Sequence, residues 1–379
     1  MGPGLRLSPT DSDLPRVPFE DPVGPSGPPP GPNRDVFGWI QWAFAGNSGL
    51  RAGWSVLMFY LLYRLFSLAL GSIALAFYPR LANFQFSASL TITGELTGLI
   101  SVFGAIAIVA RLENRSVYDY YLRDQLRTRR FLTGLLAGFI TLSTLVATLC
   151  AGGWMRLSTT NMTGGQIVAY AMLWAIAFLL TSFLEEGAFR GFLLFTLARG
   201  INFWWAFAIV SAVCMRLLMS APGSNSWGVY LMALLGLVPC MILHHLKTKN
   251  AGFWQAAWVT STLFGYWHTS NHGENSIGIF TAAAIGLVFC GRVRLTGSAW
   301  WAIGCHAAWD WAETYFYGTP DSGLVARGHL FSAQPQGSTI MSGGSVGPEG
   351  SIAALIVIQI LLAVILVVYR RRPALSAAP

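Results

Sequence analysis

The chain has 379 residues, 54% hydrophobic and 11% charged, with a formal net charge of +8. Soluble domains carry roughly 25% charged residues, so this composition excludes an ordinary soluble globule and points to an integral membrane protein. The positive balance is not a nucleic-acid footprint, because Lys and Arg sit at the ends of apolar segments, where they set topology.

Residues 1–35 hold more than half of the 18 prolines, as in Pro28-Pro29-Pro30-Gly31-Pro32. Such a segment cannot bury enough apolar surface to fold, so it reads as a disordered tail, and it lacks the pattern of a secretory signal. The short aromatic stretch from Phe37 to Phe44 reads as lying at the membrane interface. Spans of about 20 residues then fit at 54–78, 93–110, 131–151, 166–197, 203–220, 228–246, 252–270, 276–291, 298–317 and 351–369. Their connections alternate in charge. Arg111, Arg115, Arg123, Arg127, Arg129 and Arg130 follow the second span, Arg199 the fourth, Lys247 and Lys249 the sixth, Arg292 and Arg294 the eighth, and Arg370 to Arg372 the tenth. The opposite loops are poor in Lys and Arg, which places both termini in the cytoplasm.

The expected fold is all-α, a polytopic membrane protein with about ten transmembrane helices. Its divisions are the tail at 1–35, N-terminal helices with a basic cytoplasmic loop at 36–165, a core at 166–317, an extracytoplasmic loop at 318–350, and a last helix with a basic tail at 351–379. Within the core, Asn202 to Ser211 echoes Gly252 to Ser261, which marks 203–246 as a candidate inserted helix pair. Cys150, Cys214, Cys240, Cys290 and Cys305 lie singly in apolar runs and read as small core residues. The loop at 318–350 is rich in Gly and Ser and includes Asp321, Arg327, His329 and Glu349. A loop of that length is expected to be an ordered cap or plain disorder.

Three polar clusters interrupt the apolar spans. The first is Glu185-Glu186 with Arg190. An ionisable group at membrane depth is costly and marks a functional site. Residues four apart share a helical face and adjacent ones do not, so Glu186 pairs with Arg190 while Glu185 turns elsewhere. The second is Phe264-Gly-Tyr-Trp-His268, and the third His306-Ala-Ala-Trp-Asp310, each again four apart. Together they supply carboxylates and imidazoles from three helices. Such a set can ligate a divalent metal such as zinc through Glu185, His268, His306 and Asp310, with a position left for water. Alternatively Glu185 and His268 act as general bases on a water while His306 donates to an oxyanion.

Glu-Glu-x-x-x-Arg, then Phe-x-x-x-His, then His-x-x-x-Asp resembles the CPBP (Abi, CAAX protease) family of intramembrane endopeptidases, and the run from Gly297 to Asp310 is similar to its third motif beyond the polar positions. The resemblance covers about 166–317. It implies hydrolysis of a membrane-associated or prenylated-type protein within the bilayer of a bacterial inner membrane. It assigns water activation to Glu185 and His268, support to Glu186 and Arg190, and the metal or oxyanion role to His306 and Asp310. Two features depart from the pattern. The interval from Arg190 to Phe264 is longer than usual, and Asp310 stands where Asn is common. An ionised Asp only accepts hydrogen bonds.

The rival readings are a proton-coupled transporter with Glu185, His268 and Asp310 as a relay, and a non-catalytic scaffold. The span positions place Glu185 and His306 near mid-membrane or in the cytoplasmic half, but His268 near the outer end of its span. Glu95 reads as a satisfied core acid, His272 and Glu274 as solvated loop groups, and His244 and His245 as interfacial. Trp267, Trp309 and Trp311 read as packing aromatics, with Glu313 a reserve member of the site. Nothing in the sequence specifies oligomeric state.

Overall fold

The computed structural model describes residues 39, 44–46, 49–77, 86–160, 162–220, 237–247, 250–271, 273–321 and 323–370. The expected tail at 1–35 lies outside the described residues, as do most of 36–44 and residues 371–379.

The chain builds α1 (Ala52–Phe77), α2 (Ala88–Leu112) and α3 (Arg127–Ala151), then strand β1 (Met155–Thr159). Next come α4 (Gly164–Ala198), α5 (Phe203–Ser220) and a helical stretch at 237–245, here α6. The remainder is α7 (Ala251–Trp267), α8 (Ser276–Thr296), α9 (Trp300–Trp311), β2 (Phe331–Pro335) and α10 (Ile352–Arg370). Five of these, α1 to α4 and α8, are long and apolar enough to cross a membrane. Large apolar side chains face outward along them, as Leu61, Leu65 and Leu68 do on α1. A soluble protein would pay to hydrate that surface; a bilayer accepts it.

Several helices overrun the expected spans. Helix α2 starts five residues earlier than expected, α3 begins at Arg127, and α8 runs on to Thr296, where Gly297 at φ 65° ends it in the left-handed conformation. Hydrophobicity marks where a span is apolar, not where backbone hydrogen bonding stops. Helix α4 is not uniformly α-helical either: Gly187–Leu193 is π-helical, and α9 continues as a π-helix through Ala312–Tyr317. Such widened turns concentrate at functional sites.

The packing centre is the pair α3 and α9. A Cβ on Gly134 would meet the Trp301 carbonyl, one on Gly138 the Cys305 carbonyl, and one on Gly304 the Phe131 carbonyl. Three glycines therefore let the two backbones touch, the small-residue packing that membranes favour where no hydrophobic force acts between helices. Helices α5 and α6 lie at the periphery. Ala206, Val210 and Cys214 of α5 pack on Phe253 and Ala257 of α7, while Trp204, Trp205 and Met219 stay exposed. His244 and His245 are exposed at the end of α6, in keeping with an interfacial position.

The two ends of the helix array differ. At one end the basic loops gather: Arg199 holds Glu113 at 3.0 Å, Arg130 pairs with Asp124 and donates to Thr296 O, and Trp300 Nε1 donates to Leu122 O. At the other end the segment 318–351 forms an ordered cap. Its strand β2 pairs antiparallel with β1 from Met155↔Pro335 to Thr159↔Phe331. Arg327 N donates to Phe86 O, Trp174 Nε1 to Arg327 O, and Asn275 Nδ2 to Gly350 O, so the cap is tied to three further segments.

Candidate active site

Between α2, α4, α7, α8, α9 and the cap lies a cavity of about 470 Å³, whose lining includes Glu95, Glu185, His268, His306, Asp310 and Glu349. The three sequence motifs thus meet. Glu186 and Arg190 stand behind the wall, both wholly buried, with Arg190 Nη1 on Glu186 Oε1 at 3.0 Å. The expected pair forms although the backbone around Arg190 is π-helical. The Arg190 guanidinium lies over the Phe264 ring, 3.9 Å from its centroid, so the aromatic of the second motif is a cation–π platform for the first. Gly286 on α8 leaves room for the guanidinium; a Cβ there would meet Nη2.

Glu186 Oε1 also accepts from His306 Nδ1 at 2.9 Å. Arg190, Glu186 and His306 therefore form one buried chain that fixes the imidazole plane. The other ring nitrogen, Nε2, faces the cavity, 3.3 Å from Asp310 Oδ2 and 3.9 Å from Glu185 Oε2. The latter distance is too long for a hydrogen bond, and Glu185 Oε2 has no other hydrogen-bonding partner among the described residues. Glu185 is the cavity carboxylate that the helix geometry had turned away from the ion pair.

His268 follows the last residue of α7, and its Nδ1 donates to Phe264 O at 2.8 Å. That bond assigns the proton to Nδ1 and leaves Nε2 a lone-pair acceptor. His268 and His306 nonetheless line one cavity, with the Phe264 ring 4.7 Å from His268 and 6.2 Å from His306. The cavity descends from the capped end, so a residue near a helix end and one near a helix middle reach the same space.

Other expectations are corrected. Glu95 is not a satisfied core acid but a wall residue of the cavity. Trp309 also lines it, and its single N–H faces two carboxylates, Glu313 Oε2 at 3.0 Å and Glu349 Oε1 at 2.6 Å. Glu313, held in reserve, therefore supports the wall with Trp309. Trp311 packs with Tyr315 and Phe316, and Trp267 lies 6.4 Å from Phe189. Glu274 is half-buried, not solvated: burial pushes its carboxyl up to about 7 against the bond from Asn275 N, and Asp321 adds to the rise. Burial, with Asp321, Asp310 and Glu274 nearby, likewise raises Glu349 above the usual carboxylate range. His272 lies outside the described residues.

The residues missed in the sequence are Glu95, Asp321 and Glu349. The first carried a usable signal, since any lone acid in a span is a functional candidate. The two cap residues sit in a Gly/Ser-rich loop with no periodicity to place them.

Toward the basic end the cavity stops. Phe192 and Leu194 on α4, beyond Glu186, and Ile303 and Cys305 on α9, before His306, are wholly buried. Phe192 packs in an apolar cluster with Phe59 and Tyr120, Leu194 and Ile303 in a second, and Cys305 in a third with Phe289 and Trp301. As for a metal, among the described residues no group of three or more His, Cys, Asp and Glu side chains is arranged to hold an ion. His306 Nε2 lies 3.3 Å from Asp310 Oδ2, and the Nδ1 atoms of His268 and His306 are committed to Phe264 O and Glu186.

Residues 238–312 match the family model described as Type II CAAX prenyl endopeptidase Rce1-like. This agrees with the resemblance carried by the second and third motifs, His268, His306 and Asp310, all inside the matched segment. The Glu185–Arg190 motif lies before it, across an interval that holds α5, while α6 falls almost wholly inside the matched segment. No curated protein and no solved structure matches the chain.

Proposed function

We propose that this membrane protein is an intramembrane endopeptidase that hydrolyses a peptide bond of a membrane-associated polypeptide, with Glu185 as the general base. The observation that carries the reading is the meeting of Glu185, His268, His306 and Asp310 in one cavity, with Glu185 Oε2 accepting from none of the described residues. A carboxylate so placed takes a proton from water, and the hydroxide adds to the scissile carbonyl. His268 Nε2, an acceptor, orients the same water. The Nε2–H of His306, held loosely by Asp310, is available to the oxyanion that develops, while Glu186 and Arg190 keep the ring in place. Glu185 then returns its proton to the leaving amine, which balances the reaction. Asp310, as an acceptor, orients His306 instead of forming the oxyanion hole itself.

The cavity lining takes in loop residues of the capped end and none of the basic loops, which supports an enzyme over a transporter relay that needs a polar path across the membrane. The test is cleavage of a single-span reporter library by the reconstituted protein. Glu185→Gln is expected to lower the rate about 10²–10⁴-fold with unchanged elution in detergent, and a chelator to leave wild type active. Unaltered cleavage by Glu185→Gln overturns the assignment. Inactivation by chelator with recovery on adding zinc replaces the glutamate mechanism by a metal one.

A further inference from the structure

The two ends of the molecule differ in charge, and the cavity belongs to one of them. Its loop-derived lining is Phe86, Asn271, Asp321, Leu324 and Glu349. All five lie at the capped end; no residue of the loops at 113–126, 199–202, 246–250 or 297–299 lines it. Those excluded loops meet one another at the opposite end, through Arg199 on Glu113, Arg130 on Thr296 O, Arg294 on Asn250 and Ala299 N on Tyr121 O.

The basic end carries Arg111 to Arg130, Arg199, Arg292 and Arg294, whereas the loops of the capped end hold only Arg156 and Arg327 among the described residues. An excess of Lys and Arg in short loops marks the cytoplasmic side. We infer that the site is fed from the extracytoplasmic side, so that its substrate is an exposed segment of an exported or membrane-anchored polypeptide on that face. The inference rests on the endopeptidase reading for the hydrolysis but not for the sidedness.

Two readouts separate them. The first places one cysteine at a time: Val325→Cys on the cap surface, where the side chain is 57% exposed, Thr91→Cys in the cavity wall, and Arg129→Cys on the basic face. Of the native cysteines four are buried and Cys150 half-buried, so wild type supplies the background. Intact cells are treated with a membrane-impermeant maleimide. Val325→Cys and Thr91→Cys are expected to label at once, and Arg129→Cys only after permeabilisation. The opposite pattern, or labelling of Thr91→Cys only after permeabilisation, overturns the inference whatever the protein catalyses.

The second readout is a single-span reporter bearing a randomised segment either outside or inside the membrane, co-expressed with wild type or Glu185→Gln. Glu185-dependent cleavage of the outside segment alone is expected. Glu185-dependent cleavage of the inside segment overturns the sidedness. Cleavage of neither counts against the endopeptidase, with the labelling still deciding the sidedness.

Discussion

At the scale of single residues, the site is a buried relay of charges in which each member has a different reason to be there. Arg190 neutralises Glu186, Glu186 fixes His306, and Glu185 Oε2 accepts no hydrogen bond from the described residues. Removing one partner of a buried pair leaves an unpaired charge in an apolar interior and costs about 3–5 kcal/mol. Arg190→Ala should therefore destabilise the protein by that order, read as a lower unfolding midpoint in detergent, and should lose activity with it. Glu185→Gln should keep the wild-type midpoint while losing turnover, because the exchanged oxygen makes no hydrogen bond that holds the fold. A midpoint unchanged in Arg190→Ala would show the pair to be dispensable.

At the scale of elements, the depth of His306 is decided by the approach of α9 to α3. Gly134, Gly138 and Gly304 let carbonyls of one helix sit against the backbone of the other. Overpacking a tight contact costs typically 1–3 kcal/mol. At Gly138 the obstacle is the Cys305 carbonyl, one residue from His306, and backbone does not yield as a side-chain tip does. Gly138→Leu should push α9 outward and lower turnover at least as strongly as stability, measured by parallel cleavage and unfolding assays. Gly71, with nothing within 4 Å of a built Cβ, is the control: Gly71→Ala should be silent in both. The π-helical turns on α4 and α9 have no sequence mark that we can name; the first contains Arg190 of its motif and the second begins two residues after Asp310.

At the scale of the whole molecule, the cap couples to the site through Glu349 and to the loop before α8 through Asn275 and Gly350. Glu274 sits in that loop with its carboxyl raised from 4.5 to about 7, chiefly by burial. In the window between those values the unfolded loop has released a proton that the folded loop still holds, so stability falls as pH rises. The contribution of Glu274 is complete below about pH 4.5 and lost as pH passes about 7. Hydrogen exchange of residues 271–278, corrected for the intrinsic rate, should accelerate across that range, and Glu274→Gln should flatten the dependence. The same dependence in Glu274→Gln would remove Glu274 as its source.

What the sequence by itself determined was membrane residence and the pairing of Glu186 with Arg190, which follow from composition and helical spacing and are local, whereas the grouping of Glu185, His268, His306 and Asp310 into one site was what the family resemblance implied. A charged group in an apolar run is anomalous wherever the run ends up, and residues four apart share a face whatever the helix packs against. The tertiary structure alone decided that Glu95 belongs to the cavity, that His268 and His306 line it together, and that Asp321 and Glu349 complete its wall. Those are relations between segments far apart in the chain, set by glycine-mediated helix contacts and by a strand pair between residues 155–159 and 331–335. A loop rich in Gly and Ser carries no periodicity, so only the partner it finds across the fold gives it a place.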